Sequence, residues 1–515
     1  PHAIANYGGS APGWEQLELW KYGFRMDWKP YDLVELDADR KCMTSDGLVP
    51  ITQDDIEGWC KITGQLGEPP FMKELMRATF WCPPHPPEVE LNEDNIPYMQ
   101  VYKQFQPSVW TRELMEMTLF DLMDEYMVTE AFKVMQAYIA LSSGAHGHME
   151  GVAIPALCSV ATVMPPAVAK PVAARGNMHG YYHALNRCAV AHGAVFRTCC
   201  PVDEIIVSDG KAVGVRLRDN AAVGNKVIWA DKAVISATEI KQTFNDLLGP
   251  QNVEPSLMQR VNDLNIKGGP IYCNYFLTKN PLRYREKYKA AEQTGVCYPM
   301  DSRELYYNHV ADCMGIQGNP TVPYDEILWL WAGSNKIITH ECHPQCTRPD
   351  RYIESSIEFY VPPPQYHIDG PEAMNAHKEE LKTYFRKAFS CVVENLEEDL
   401  IEHWVLTPWE QEFRNTGMLG GSWYGIRHCR DQWWNERPLP EMSRYRMPGI
   451  DGLYFVHQSA AHPGGLCLMA CGYNLMHTLI EDGVAEPGDW WYPSPWYIPE
   501  KGKISAVPRE GKIPA

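Results

Sequence analysis

Apolar residues between positions 177 and 193 recur with the period of an α-helix. The recurring positions are Met178, Tyr181, Tyr182, Leu185, Cys188 and Ala189. Asn177 precedes them and is a residue type that caps helix starts, while Gly193 follows them and is a residue type that ends helices. The pattern predicts an amphipathic helix with one buried face.

Shorter apolar stretches that are typical of β-strands follow this helix. Residues 194–198 predict one strand, and "VDEIIV" and "AVGVRL" predict two more on either side of Ser208-Asp209-Gly210-Lys211. Because Asp-Gly tolerates the positive φ angles of a tight turn, these two strands should form a hairpin. "KVIWADKAVISA" predicts two further short strands. The sequence therefore predicts a helix, a strand, an antiparallel meander and a return strand.

The rest of the chain mixes helical and strand patterns. Residues 1–105 lack clear periodicity, whereas residues 111–141 and 371–397 predict helices. The stretches "PIYCNYFL", "EILWLWA" and "SIEFYV" predict strands of a second domain, and "GLYFVHQ" predicts a strand before a His-Pro-Gly-Gly turn and a last helix. The apolar side of that helix would carry Leu466, Met469, Ala470, Tyr473, His477 and Ile480. These elements predict a fold of the α/β (α+β) class.

Chain length and net charge limit the number of domains and the classes of ligand that we expect. A chain of 515 residues predicts roughly two to four domains at about 150 residues each. The formal net charge of −19 argues against binding of nucleic acid, which needs a basic surface. A small or apolar ligand is therefore the better expectation.

The sixteen cysteines are scattered through a large chain, which predicts reduced thiols and a cytoplasmic protein. Residues 151–169 contain no charged residue, but Pro155, Pro165 and Pro166 interrupt a helix there, so this stretch predicts an apolar loop and not a membrane span. Peripheral association with a membrane surface stays open.

Several segments resemble, in order, the phytoene-dehydrogenase-like family of FAD flavoproteins, which includes carotenoid desaturases, carotenoid isomerases and retinol saturase. The resemblance lies in "ARGNMHGYYHALNRCAVAHGAVFRTCCPVDEIIVSDGKAVGVRL", "NKVIWADKAVISA", "TPWEQEF", "GGSWYGIRHCRDQ" and "GLYFVHQSAAHPGGLCLMACGYN". It implies a discontinuous FAD-binding domain with an inserted substrate domain that contains a mixed sheet and helices. The implied segments are the first part of the substrate domain (1–175), an FAD-binding segment (176–240), the second part of the substrate domain (241–430), a C-terminal FAD-binding segment (431–485) and an extended tail (486–515).

The resemblance also implies cofactor-binding residues. Val202 would meet the adenine through its backbone, and Ala237 would lie beside the dinucleotide. His462, Pro463, Gly464, Gly465 and Leu466 would surround the flavin end. A helix start carries unpaired N–H groups and partial positive charge, which independently favours an electron-rich ligand there. The alternative is that Pro463 occupies the first helical turn and the glycines serve packing.

The chain departs from the family's pattern after the last strand. His457 and Gln458 stand where the family usually has glycine, so both become candidate flavin neighbours. His457 is also a candidate catalytic proton donor or acceptor, or else merely a hydrogen-bonding residue. Tyr424, in a segment that the resemblance places near the substrate, is a second catalytic candidate, with a structural hydrogen-bonding role as its alternative.

A second departure is that the sequence contains no G-x-G-x-x-G turn for the ADP half of FAD. We expect a second protein subunit to supply this nucleotide-binding unit, or the chain to be a processed or incomplete product. "HECHPQC" at 340–346 holds residue types that bind zinc, but its spacing matches no common site and no metal is expected.

The resemblance implies an FAD-dependent oxidoreductase, a dehydrogenase or desaturase that transfers hydride from an apolar isoprenoid or terpene-like substrate to flavin, and the missing turn predicts that it does so within a heteromer. Its electron acceptor is unidentified. One alternative is a redox-neutral FAD-dependent double-bond isomerase, and another is a non-catalytic subunit of a flavoprotein complex.

Overall fold

The computed structural model describes residues 13, 16–24, 26–27, 41–44, 47–63, 70–141, 145–157, 173–174, 177–265, 271–293, 302–307, 331–333, 352–359, 371–376, 378–422, 425–464 and 469–496. Over these residues the fold belongs to the α/β class and combines helices with small sheets. In this part of the chain no helix is long and apolar enough to cross a bilayer. "HECHPQC", residues 158–169 of the predicted apolar loop and most of "EILWLWA" lie outside the described residues.

Helices dominate the described part of the first 141 residues. They are α1 (Gln53–Thr63), α2 (Pro70–Phe80), α3 (Pro97–Phe105), α4 (Leu119–Tyr126) and α5 (Glu130–Leu141), preceded by a 3₁₀ turn (Leu19–Tyr22) and strands β1 (Met26–Asp27), β2 (Lys41–Thr44) and β3 (Gly47–Pro50). Their inner faces form the largest apolar cluster. The sequence pattern does not reveal α1, because its buried face includes the polar side chains of Asp55 and Thr63.

The predicted helical stretch 111–141 is divided in the structure into a 3₁₀ helix (Arg112–Met115), α4 and α5. A capping box starts α4, since Thr118 and Asp121 exchange hydrogen bonds between side chain and backbone. Before α5, the Asp55 carboxylate accepts hydrogen bonds from the amides of Val128 at 2.7 Å and Thr129 at 2.8 Å. Side-chain capping therefore sets these breaks.

The predicted helix and meander are confirmed. After β4 (Ala173–Ala174), the chain forms α6 (Asn177–Ala191), β5 (Val202–Ser208), β6 (Lys211–Leu217), β7 (Val227–Trp229) and β8 (Val234–Ser236). Strands β5, β6 and β7 make an antiparallel sheet. Its hairpin turn holds Asp209 at φ 51° and Gly210 at φ 74°, as the Asp-Gly pair predicts.

The predicted strand at 194–198 is wrong. These residues form no strand, and the side chains of Val195 and Phe196 are 78% and 57% exposed. Apolar and β-branched residues favour extended backbone, but a strand also needs a neighbour that pairs with it. None of the strand pairings among the described residues involves this segment.

A four-stranded antiparallel sheet of order β10-β11-β9-β12 organises the middle of the chain. The elements are α7 (Ile240–Gln242) with a π-helical continuation (Thr243–Leu248), α8 (Pro255–Asp263), β9 (Ile271–Thr278), a 3₁₀ helix (Glu286–Gln293), β10 (Trp331–Gly333), β11 (Tyr352–Phe359), α9 (Pro371–Ala376), α10 (Lys378–Ser390), α11 (Leu396–Asp399), β12 (Leu400–Leu406) and α12 (Pro408–Arg414). The predicted helix at 371–397 covers α9 and α10, between which residue 377 lies outside the described residues, and it is interrupted after Ser390, before the third of these elements, α11. Before the third, Asn395 turns its side chain to accept a 2.7 Å hydrogen bond from the Arg283 amide.

The last part contains four 3₁₀ turns, one strand and one helix among its described residues. These are Leu419–Gly421, Arg430–Gln432, Trp434–Glu436 and Pro440–Met442, then β13 (Leu453–Phe455) and α13 (Ala470–Glu481). Of the predicted last helix, α13 contains Ala470, Tyr473, His477 and Ile480, and Leu466 lies outside the described residues. The expectation that Met469 lies in this helix is wrong, because it precedes α13 in a left-handed conformation at φ 69°. The tail is anchored where it is described: Trp496 is buried and donates to Glu74 at 2.8 Å.

Candidate functional site

Strands β8 and β13 pair in parallel and end at the same edge. Leu453 pairs with Val234 and Phe455 with Ser236, and the Val456 amide donates to the Ser236 carbonyl at 2.9 Å. Ligands of open α/β sheets bind at the carboxyl ends of parallel strands. The pairing brings Ala237, which is exposed, to the same edge as His457 and Gln458. Three predicted site residues thus come together.

Buried polar contacts join the loops that follow the two strands. The hydroxyls of Ser236, Thr238 and Thr243 form a triangle with oxygen–oxygen distances of 2.7 to 3.0 Å. The buried Glu239 carboxylate caps α7 by accepting from the Lys241 amide at 2.7 Å. Burial raises the pKa of Glu239. These contacts therefore hold the carboxyl end of β8 and the loop after it in one conformation.

His457 is half-buried and held by Ser459. Its Nδ1 atom lies 2.8 Å from Ser459 Oγ and accepts from the Ser459 amide at 3.2 Å. Because an amide can only donate, Nδ1 is an acceptor, which assigns the proton of the neutral ring to Nε2. Burial, together with the charge of Arg437, lowers the pKa of His457 to about 4. At neutral pH the side chain therefore offers a hydrogen-bond donor and not a positive charge.

His462 links the turn to the helical part of the chain. It is fully buried, and its Nε2 atom donates to the Thr79 carbonyl at 2.6 Å, while its ring lies edge-on to Trp433 and Trp434 with centroid distances of 5.0 and 4.6 Å. Burial lowers the pKa of His462 to about 3. Tyr445 donates to the His462 carbonyl at 2.9 Å. These contacts give His462 a structural role.

Gly464 is buried at φ 73°, and neighbouring side chains fill the space where a Cβ would lie. That atom would be 2.7 Å from Arg437 Nη2 and 2.9 Å from His428 Cε1. Packing within the chain is thus sufficient to explain a glycine at position 464. This favours the alternative in which the glycines of the turn serve packing. Pro463 beside it is also buried. Gly465 and Leu466 lie outside the described residues.

The first turn of α13 begins at the buried residues Ala470 and Cys471. Met469 makes no capping hydrogen bond through its side chain, and the first turn contains no acidic residue. Unpaired N–H groups of a first turn favour an anion or a carbonyl oxygen.

One predicted residue, Val202, is not brought to this edge. Val202 begins β5 and pairs with Leu217 in the separate antiparallel sheet. Tyr424 lies outside the described residues, so its position stays a prediction.

Arg437 is a residue that sequence reasoning missed. Its side chain is fully buried and donates from Nε to the carbonyl oxygen of Ala461 at 3.3 Å and from Nη2 to that of Gln458 at 2.6 Å. Its only sequence signal is a single Arg after the Trp-rich stretch "DQWWNE". Ser459 and Glu239, which hold the two loops, gave no signal either.

Comparisons with known proteins point to oxidoreductases. No family model matches the chain. The chain is 25% identical over 319 residues to pyridine nucleotide-disulfide oxidoreductase domain-containing protein 2 of Mus musculus, a match that covers 60% of this chain and 51% of the relative. It is 23% identical over 314 residues to a subunit of limonene dehydrogenase from Castellaniella defragrans, with coverages of 60% and 55%. The chain therefore spans about half the length of these curated relatives.

A solved structure, an oxidoreductase from Methanosarcina mazei, superimposes with a TM-score of 0.47 at 13% identity. The match covers 93% of this chain and 87% of that chain.

Proposed function

We propose that this chain is the substrate-binding part of an FAD-dependent oxidoreductase that removes hydride from an apolar, terpene-like substrate. The observation that carries the proposal is the parallel pairing of β8 and β13, which joins Ala237, His457 and Gln458 at one edge. Relatives named as an oxidoreductase-domain protein and a dehydrogenase subunit support the reaction class. The ordered resemblance to phytoene-dehydrogenase-like flavoproteins supports FAD as the cofactor.

The described residues fit one end of FAD. Ala237 is small and exposed at the strand end, and the start of α13 offers N–H groups without a competing carboxylate in its first turn. These features suit the pyrimidine edge of a flavin. Gly464 would contribute through the shape of the turn, since its Cβ space is already filled. A diphosphate loop of the G-x-G-x-x-G type is absent from this sequence.

FAD, when bound, supplies the hydride acceptor. The residues of this chain would then bind and orient the substrate, and they would exclude water from the site. His457 Nε2–H is a donor for a carbonyl oxygen at the edge, and Ser459 keeps the ring in the orientation that presents it. Trp433 and Trp434 cover the turn and keep His462 away from solvent.

The substrate class and a heteromeric assembly form the finer part of the proposal. The relative in Castellaniella defragrans is named as one subunit of a limonene dehydrogenase, which supports both a terpene substrate and a multi-subunit particle. We propose that the nucleotide-binding unit contacts the exposed apolar side chains of α6 and of the segment that follows it, which are Tyr182, Val190, Val195 and Phe196. Large exposed apolar patches mark interaction sites, and the buried faces of parallel sheets need cover on both sides.

One observation favours a second candidate, a subunit that holds no flavin. Gly464 is fully explained by packing against Arg437 and His428, and His457 and Gln458 stand where the flavoprotein family has glycine. A flavin-free particle in which this chain only supports a catalytic partner would have the same features.

The test is the flavin content and turnover of the purified particle. A stoichiometric flavin that a terpene hydrocarbon bleaches without oxygen, with recovery on adding an artificial electron acceptor, supports the dehydrogenase. A changed product without consumption of acceptor would indicate an isomerase. A particle with no flavin would overturn the proposal in favour of the structural subunit.

A further inference from the structure

A short turn after α12 approaches the ring of His457. The turn runs from Asn415 to Met418 and is closed by a hydrogen bond of 2.8 Å from the amide of the last residue to the carbonyl of the first. The side chain of Gln242, at the end of α7, donates to the carbonyl oxygen of Thr416. The turn is therefore tied to the segment after β8, and it lies beside the residue that follows β13.

Gly417, within this turn, faces the Nε2 atom of His457. A Cβ at position 417 would lie 3.4 Å from Nε2 and 3.3 Å from Oδ1 of Asn415. Among the described residues other than its chain neighbours, the next nearest atom to that position is Cε1 of the same imidazole, at 4.0 Å. Because glycine has no side chain, position 417 itself leaves the gap between the two polar atoms unfilled.

The two polar atoms beside the gap have opposite hydrogen-bonding roles. Nδ1 of His457 accepts from the Ser459 amide, so Nε2 carries the proton and donates. The Asn415 atom next to Gly417 is the side-chain oxygen, because it accepts from the Gly417 amide at 3.2 Å, which an NH₂ group could not do. A carbonyl oxygen has a second lone pair for another donor. The gap therefore offers one donor and one acceptor.

Neither of these two groups is charged at neutral pH. Burial, together with the charge of Arg437, lowers the pKa of His457 to about 4, and the side chain of Asn415 is an amide. Of the charged residues just before the turn, Arg414 is exposed, and the Glu412 carboxylate accepts a hydrogen bond of 2.8 Å from a backbone amide. The gap therefore suits a neutral ligand group.

A hydroxyl group is the neutral group that satisfies both sides of the gap. Its oxygen can accept from Nε2–H of His457, and its proton can be donated to Oδ1 of Asn415. A carbonyl or ether oxygen would satisfy only the imidazole and would direct a lone pair at the Asn415 oxygen. An ammonium group would satisfy only Asn415. Pairing a donor with an acceptor thus selects for a group that can both accept and donate.

We propose that Asn415 and His457, on either side of Gly417, form a subsite for a neutral hydroxyl oxygen, which belongs to an alcohol or to an ordered water molecule. Asn415 is exposed, and Gly417 and His457 are half-buried, so a ligand can reach the subsite from solvent. An alcohol held there is the hydroxyl-bearing form of the terpene-like substrate or product, and in this respect the inference rests on the proposed function.

The experiment compares menthol with menthyl methyl ether, which keeps the oxygen acceptor but has no hydroxyl proton. Titration calorimetry with the purified particle measures both affinities. Wild type should bind menthol about three- to tenfold more tightly than the ether, the range that one hydrogen bond typically contributes. Asn415→Leu should bring this ratio close to one, because the acceptor for the hydroxyl proton is lost.

A second variant fills the gap without removing either polar side chain. Gly417 is not in the left-handed region, so Gly417→Ala should fold, and its methyl group should weaken the binding of menthol. The matched control is Gly224→Ala, an exposed loop position with nothing within 4 Å of its Cβ, which should leave the affinity unchanged.

An experimental structure without added alcohol distinguishes the two sources of the hydroxyl. If the two probes bind equally or not at all, a water oxygen within hydrogen-bond distance of both Nε2 and Oδ1 assigns the subsite to water. Equal binding with no oxygen between these atoms would overturn the inference. The binding comparison needs no turnover, so a particle without flavin would overturn the proposed function and leave this result to be read separately.

Discussion

The Ile240 amide donates a hydrogen bond of 3.0 Å to the hydroxyl oxygen of Ser459, and this contact joins the loop after β8 to the loop after β13. The same hydroxyl lies 2.8 Å from Nδ1 of His457. A single buried serine therefore connects the only parallel strand pair of the described residues with the imidazole at its edge.

Replacing Ser459 should loosen this connection. Ser459→Ala leaves the buried Ile240 amide without its acceptor, so we expect a loss of about 1–3 kcal/mol in the free energy of unfolding. Chemical denaturation measures it. The control Ser208→Ala removes an exposed hydroxyl and should change stability by less than about 0.5 kcal/mol. Equal effects of the two substitutions would contradict the assigned role of Ser459.

Substitution of two glycines of this region by alanine should change the stability of the protein in opposite directions. Gly464→Ala forces a Cβ against Arg437 and requires a residue with a side chain at φ 73°, so we expect a loss of about 1–3 kcal/mol or more. Gly472 lies within α13 with nothing within 4 Å of its Cβ position, so Gly472→Ala should stabilise by up to about 1 kcal/mol. Thermal unfolding of both variants would show whether the signs differ. A neutral Gly464→Ala would remove the packing explanation.

The buried histidines should make the protein sensitive to acid. Burial lowers the pKa of His462 and His477 to about 3, below the ordinary value near 6.5, so the unfolded chain binds more protons between these limits. Stability contributed by their neutral forms is present above about pH 6.5 and is lost as the pH falls toward the folded pKa. Each such histidine contributes a slope of about 1.4 kcal/mol per pH unit. His462→Gln should reduce the slope between pH 6 and 4.5, and an unchanged slope would be inconsistent with its burial.

His457 should act as a neutral donor. If it presents Nε2–H to a bound carbonyl, His457→Phe should lower turnover more than flavin content, whereas His457→Gln, which keeps a donor, should retain more turnover. Because burial lowers the pKa of His457 to about 4, turnover of the wild type should show no ionisation of this residue between pH 6 and 8. Equal turnover in the wild type and His457→Phe would exclude His457 from the mechanism.

The exposed apolar segment at 194–198 offers a test of association. Substituting Val195→Lys and Phe196→Ser together should raise the soluble yield of the isolated chain and weaken its assembly with a nucleotide-binding unit, as measured by sedimentation. Phe413 on α12 is 73% exposed and serves as the matched control, since Phe413→Ser should leave assembly unchanged. An assembly that tolerates the double substitution would contradict the proposed contact face.

Local signals in the sequence were sufficient for part of this fold. Helix α6 and the β5–β6 hairpin follow from an apolar period and an Asp-Gly turn, which act within a few residues. The prediction of a strand at 194–198 was wrong because strand formation depends on a pairing partner, which apolar composition does not reveal. The prediction that Met469 belongs to the last helix was wrong because its apolar side chain fits the helical period, whereas its backbone adopts a left-handed conformation.

The candidate site was only partly predictable for a similar reason. Ala237, His457 and Gln458 follow apolar strands, so their shared edge could be expected once a parallel pairing is assumed. Arg437 and Ser459 act through contacts with residues of other segments. A guanidinium held by backbone carbonyls leaves no periodic pattern, because its acceptors are present at every residue.

The most direct test of the account is an experimental structure of the purified particle that contains this chain. We predict a flavin whose pyrimidine edge lies at the start of α13 and whose ring contacts Ala237 and the His457–Gln458 backbone, with its diphosphate held outside the described residues. A flavin bound elsewhere on the chain, or a particle without flavin and with this edge covered by protein, would contradict it.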